Sequence, residues 1–185
     1  MFVRPVVLRF GIILGDRMMS DDLLFKSRYR VPSARHGGWD YRWAGIYSIT
    51  IRTRGRVCWF GEVQRGQVLL SPVGKVVADE WEKIPRDHPR VTLDEWVIMP
   101  DHMHGILIFQ GETPDDEPAK PKHLLAQSLG AVIGRFKSEA TKRIWRNLRQ
   151  RSFAWQPRFY DVIVRDPSHL ERIRAYIRAN PTRWT

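Results

Sequence analysis

The run VTLDEWVIMPDHMHGILIF, residues 91–109, constrains the fold of this chain more than any other stretch. It divides into two segments rich in β-branched and apolar residues, VTLDEWVIM (91–99) and HMHGILIF (102–109), with only PD between them. Such composition predicts two strands, and so tight a connection sets them side by side. The second strand opens on two histidines one residue apart. Side chains two apart along a strand share a face, so His102 and His104 project together and Met103 points the other way. Two imidazoles at that spacing can both reach one divalent ion. The competing assignment is a pair of hydrogen-bonded structural histidines.

The rest of the chain supplies a pattern around this pair. AGIYSITIRT (44–53) alternates and predicts a strand. RGR turns it, and VCWFGEV (57–63) is expected to return as a strand, with RGQ and VLLS extending a small hairpin. Cys58 reads there as a buried strand thiol. A helix starts with Ser71 as its cap and Pro72 at its first position, carries Val73, Val76, Val77 and Ile84 on one face, and is stopped by Pro85. Residues 110–123, QGETPDDEPAKPKH, read as a flexible polar linker. A longer helix spans 124–148, with Leu125, Leu129, Val132, Ile133, Phe136, Ala140 and Ile144 on one stripe. A short strand lies within 153–166. A last helix runs over 166–181, with Asp166 as its cap, Pro167 at its first position and Pro181 at its end. The order is strand, helix, strand, strand, helix, strand, helix. That predicts an α+β fold: a ferredoxin-like antiparallel sheet with helices on one face, plus an additional C-terminal helix.

With 185 residues the chain suits one domain, read as 28–185, behind an N-terminal extension over 1–27. No apolar run is long enough to cross a bilayer, so no membrane partner is expected. A lone cysteine excludes an internal disulfide and fits a reducing, cytoplasmic setting. The net charge of +11 is unevenly spread: residues 1–60 hold 11 Lys/Arg against 4 Asp/Glu, 61–118 hold 5 against 12, and 119–185 hold 15 against 4. Basic ends interleaved with Trp and Tyr predict a nucleic-acid partner with unpaired bases.

In the last helix, Leu170, Ile173 and Ile177 form a core stripe, and Tyr176 and Asn180 lie one above the other at its edge. Asn180 offers a carbonyl oxygen to a metal and Tyr176 a phenol nucleophile. The alternative for Tyr176 is a half-buried packing residue with its hydroxyl in water.

The runs WVIMPDHMHGILI, SLGAVIGRFKSEATKRIW and WQPRFYDVIVRDPSHLERIRAYIRANPTRW together resemble the REP-associated tyrosine transposases, relatives of the small single-strand insertion-sequence transposases in the HUH endonuclease class. The resemblance covers roughly residues 28–184 and includes DYRWAGIYSITIRTRGRVCWFGEV. It implies that His102 and His104 bind Mg²⁺ or Mn²⁺, that Asn180 is a third ligand, and that Tyr176 is the nucleophile. Histidine favours Mn²⁺ over the harder Mg²⁺. It also implies cleavage and rejoining of single-stranded, hairpin-bearing DNA through a phosphotyrosine. Arg135, Lys137, Lys142, Arg143 and Arg146 would then track phosphates. Arg28, Arg30 and Arg35 would enter a groove or clasp a hairpin stem.

Two other functions compete. One is a domesticated protein that binds repeat or hairpin DNA without transposition; the other is an ordinary metallohydrolase. Relatives of the resembled class include monomers and homodimers, so both remain open.

Overall fold

A computed structural model describes residues 44–111 and 128–184. Its strands are β1 (Gly45–Arg52), β2 (Gly61–Gln64), β3 (Gln67–Leu70), β4 (Val91–Ile98), β5 (His102–Phe109) and β6 (Tyr160–Val164). Its helices are α1 (Pro72–Glu82), α2 (Ile84–Asp87), α3 (Leu129–Asn147) and α4 (Pro167–Ala179). The main sheet is antiparallel in the order β4-β5-β1-β6, and β2 and β3 form a separate hairpin. This is the α+β, ferredoxin-like arrangement expected from the element order.

Three local expectations need correction. Residues 57–60 are not strand, and only the end of VCWFGEV enters β2. Both sides of β1 are already taken, by β5 and β6, so no edge is open to a returning segment. The chain leaves the sheet through a 3-10 turn at Arg54–Arg56, and Cys58 is exposed rather than buried. α1 ends at Glu82, so Ile84, expected on its face, lies in α2, whose first turn also holds Pro85. Without an N–H it cannot donate to the Trp81 carbonyl, and the N–H of Lys83 takes that carbonyl instead. The helix expected over 124–148 is described from its cap, Ser128, whose hydroxyl accepts from the N–H of Ala131 at 3.3 Å. Residues 124–127 and most of the expected linker lie outside the described residues.

Side-chain alternation divides the main sheet into two faces. Tyr47, Ile49 and Ile51 of β1 and Met103, Leu107 and Phe109 of β5 join the buried core with α1 and α3. Gly105 also faces α1. A Cβ there would stand 2.5 Å from Cζ2 of Trp81, so the missing side chain lets the indole lie against the sheet.

On the other face lies α4, where Ile177 is buried. A bulge in β4 contributes to its seat. Leu93 pairs with Leu107 and Trp96 with Gly105, so β4 holds two residues where β5 holds one. The two are Asp94 and Glu95, and both reach α4. Arg174 grips Asp94 with Nε at 3.0 Å and with Nη2, and Arg178 Nη1 donates to Glu95 at 2.7 Å.

Among the described residues four arginines adopt a left-handed backbone: Arg56 (φ 56°), Arg65 (φ 51°), Arg149 (φ 55°) and Arg158 (φ 65°). Arg65 precedes Gly66 (φ 74°) in the two-residue turn of the β2–β3 hairpin, where positive φ at both positions matches the strand twist.

Candidate metal and nucleophile site

His102 and His104 open β5 on the face covered by α4. Their rings meet edge to face, with centroids 4.8 Å apart and planes at 82°. In each imidazole Nδ1 is already engaged. His104 Nδ1 lies 2.8 Å from Oγ1 of Thr50, its cross-strand partner on β1. His102 Nδ1 lies 2.5 Å from Oδ1 of Asp101, whose Oδ2 accepts from Arg56 Nε at 2.8 Å. That leaves Nε2 of each ring for other work.

Charge and burial set the protonation of this group. Burial first, then the neighbouring His102 and Arg52, pushes His104 down from 6.5 to about 3. His102 is also lowered, chiefly by burial, against the opposing pull of Asp101. Burial alone would raise Asp101, but hydrogen bonds from His102 and Arg56 outweigh it and hold the carboxyl below its ordinary range. At neutral pH the site is two neutral imidazoles beside one ionised carboxylate. Neutral imidazole is the form that binds a metal.

Helix α4 brings the tyrosine. The Tyr176 ring sits edge-on to His104 at 5.3 Å and is 47% exposed. Asn180 donates its Nδ2 to the Tyr176 carbonyl at 3.0 Å, which leaves its Oδ1 as an acceptor. Four residues further on, Trp184 lies 5.9 Å from the ring of His102. Asn180 thus stands in the chain between two residues that each touch one histidine. Among the described residues no group of three or more His, Cys, Asp or Glu could hold a metal ion. A second tyrosine, Tyr160, pairs with Thr50 from β6, so it shares the histidines' face, and the guanidinium of Arg52 lies 5.6 Å from its ring centroid.

The basic residues expected to meet phosphates are placed variously. Helix α3 packs on the sheet face opposite the histidines. Arg143 is held by Asp79 at 2.8 Å and Glu80 at 3.0 Å. Lys142 pairs with Glu139 at 2.8 Å and Arg135 with Asp87 at 3.4 Å. Lys137 donates to the carbonyls of Gln156 at 2.8 Å and Arg158 at 3.0 Å, and burial lowers it to about 8. Arg146 is exposed. Arg28, Arg30 and Arg35 lie outside the described residues. Trp155 is in the core, and its Nε1 donates to Lys137 O at 3.1 Å.

The residues around the histidines that sequence reasoning missed are Thr50, Asp101, Arg52 and Arg56. For Asp101 a signal was available, since a carboxylate directly precedes the histidine motif. The other three depend on cross-strand register and on a turn, which no local pattern reveals.

No protein-family model matches the chain. An uncharacterized protein of Haemophilus influenzae is 35% identical over 161 residues, a stretch covering 82% of this chain and 88% of that protein. The chain belongs to the family of that protein. Among solved structures, a REP-associated tyrosine transposase bound to a REP hairpin is similar, with a TM-score of 0.51 at 21% identity over 85% of this chain and 73% of that one. At that identity the likeness is one of fold. The chain therefore shares the fold of that transposase, and in it the histidine pair lies under the last helix. No helix among the described residues is long and apolar enough to cross a membrane.

Proposed function

We propose that the chain is a transposase-like endonuclease and strand transferase acting on single-stranded, hairpin-bearing DNA. Tyr176 is its nucleophile, and His102 and His104 hold a divalent ion, with Asn180 as third ligand. The observation that carries this reading is the contact of an exposed tyrosine ring with one of two neutral imidazoles whose Nδ1 atoms are both engaged. Two nitrogens plus an amide oxygen make a donor set of intermediate hardness, which suits Mn²⁺ better than Mg²⁺. Such an ion, when bound, offsets charge that develops on phosphate oxygens as the phosphodiester is attacked.

The chain's own residues do the remainder. Tyr176 Oη forms a bond to phosphorus as the bond from phosphorus to the 3′-oxygen breaks. The phenol gives up its proton and the leaving 3′-oxygen gains one, ending as a free hydroxyl. One phosphodiester replaces another, so a 3′-hydroxyl can reverse the step and rejoin the strand without an external energy source. The fold shared with a transposase bound to a hairpin supports DNA of this class as substrate, as does the chain's net charge of +11.

The test is incubation of the protein with an end-labelled hairpin oligonucleotide and Mn²⁺, followed by a denaturing gel and peptide mapping. A covalent adduct at Tyr176, lost in Tyr176→Phe and kept in Tyr160→Phe, is the expected result. Binding of the hairpin with no adduct would overturn the catalytic assignment in favour of a DNA-binding protein without cleavage. An adduct at Tyr160 would overturn the choice of nucleophile.

A further inference from the structure

Asp101 is 2% exposed and carries a charge, which costs several kcal/mol unless partners satisfy it. Each of its oxygens has one. Oδ1 meets His102 Nδ1 at 2.5 Å, and Oδ2 takes the Nε of Arg56 at 2.8 Å. Its backbone carbonyl accepts twice more, from the N–H of Thr53 at 2.9 Å and the hydroxyl of Thr53 at 3.1 Å. The turn before β5 is thereby joined to the turn after β1. Arg56 reaches the carboxylate from a left-handed backbone at φ 56°, while its own side chain stays 62% exposed.

These contacts decide which nitrogen of His102 carries the proton. A carboxylate paired with a guanidinium is ionised, and an ionised carboxylate can only accept. The proton of the neutral imidazole must therefore sit on Nδ1, and the lone pair on Nε2. The Thr50 hydroxyl, which both donates and accepts, places no such demand on His104.

We infer that Asp101 is a positioning residue for the histidine pair: it fixes His102 as the Nδ1–H tautomer, and Arg56 holds its carboxylate in place. This inference rests on the metal-site reading above and extends it by one layer. A carboxylate behind a metal-binding histidine fixes ring orientation and raises the donor strength of the free nitrogen. Asp101 touches neither substrate nor ion in this role and acts only through His102.

Two measurements test it on the full chain without DNA. The first is ¹⁵N NMR of the imidazole nitrogens in metal-free protein. His102 is expected with its proton on Nδ1, and in Asp101→Asn with a mixture of tautomers, because an amide both donates and accepts. The second is a Mn²⁺ titration followed by the electron paramagnetic resonance signal of the free aqueous ion. Asp101→Asn should weaken Mn²⁺ binding by about 10- to 100-fold, and Arg56→Ala by a smaller factor. Should Asp101→Asn fail to fold, the exposed Arg56→Ala carries the titration. Wild-type His102 found with its proton on Nε2, or Mn²⁺ binding unchanged in Asp101→Asn or in that fallback variant, would overturn the inference. A wild type that binds no Mn²⁺ while His102 keeps its proton on Nδ1 would instead overturn the metal reading, and the positioning role with it, leaving a purely structural pair.

Discussion

Among the described residues α1 and α3 cover one face of the main sheet and α4 covers the other, and the two interfaces are made of different material. Under α1 and α3 the contacts are apolar and close: Trp81 against Gly105, Phe136 at 5.2 Å from Trp81, and Ile133 and Ile144 fully buried. Under α4 only Ile177 of the helix is buried, and the helix is tied down by Arg174 on Asp94 and Arg178 on Glu95. The first interface holds the domain together. The second leaves room for two imidazoles and an exposed phenol. An apolar seal would exclude the water and phosphate that the proposed chemistry requires, and the open face is consistent with that proposal.

The largest effect that would break this comparison lies on the core face. Trp81→Ala should cost about 3–5 kcal/mol in urea unfolding, because it deletes a fully buried indole. Gly105→Ala should cost roughly 1–3 kcal/mol by pushing that ring off the sheet. A cost below 1 kcal/mol for Trp81→Ala would mean that α1 is not the main support of the sheet.

The site face should reveal itself through acid. His104 titrates near 6.5 when unfolded and near 3 when folded. As pH falls below 6.5 the unfolded chain takes up a proton that the folded chain refuses. Stability is present above that pH and lost below it, at up to about 1.4 kcal/mol per pH unit, or roughly 2 kcal/mol by pH 5. His104→Gln should remove that part of the loss in unfolding curves compared at pH 7 and pH 5. An equally steep loss in the variant would place the acid sensitivity elsewhere.

The smallest effect concerns the seat of α4. Asp94→Asn with Glu95→Gln should lower global stability by only about 1 kcal/mol, since partly exposed ion pairs contribute little. Hydrogen exchange should nonetheless speed up in α4 while α3 stays protected, and 0.5 M salt should bring the wild type toward the variant. Uniform acceleration in both helices would show that the two faces unfold as one unit.

The same contrast governs what could be read from the chain. The core face follows hydrophobic periodicity, so β1, β4, β5 and the stripe from Leu129 to Ile144 were legible, as was the common face of His102 and His104. The site face obeys other rules. By strict alternation Asp94 and Glu95 should point to opposite sides, and only the bulge turns both to α4. Thr50 lies 54 residues from His104 in the chain, so their contact depends on strand register. Apolar composition alone suggested a strand for residues 57–60. Whether β1 has an open edge is settled by the whole topology, and both of its sides are taken by β5 and β6. A proline such as Pro85 stops one helix and is equally at home in the first turn of the next.

The left-handed arginines carry a consequence for anyone seeking a hardier version of this protein. At Arg65, Arg149 and Arg158 glycine or asparagine would relieve a backbone conformation that costs an ordinary side chain roughly 1 kcal/mol. Each replacement would also discard one cation from a chain of net charge +11, the charge on which the proposed DNA binding draws. Heat tolerance and the affinity for a phosphate backbone proposed above would therefore pull in opposite directions at three exposed positions. A library selected on melting temperature alone should drift toward lower net charge there, and one selected on retention by an anionic column should keep the arginines and their strain.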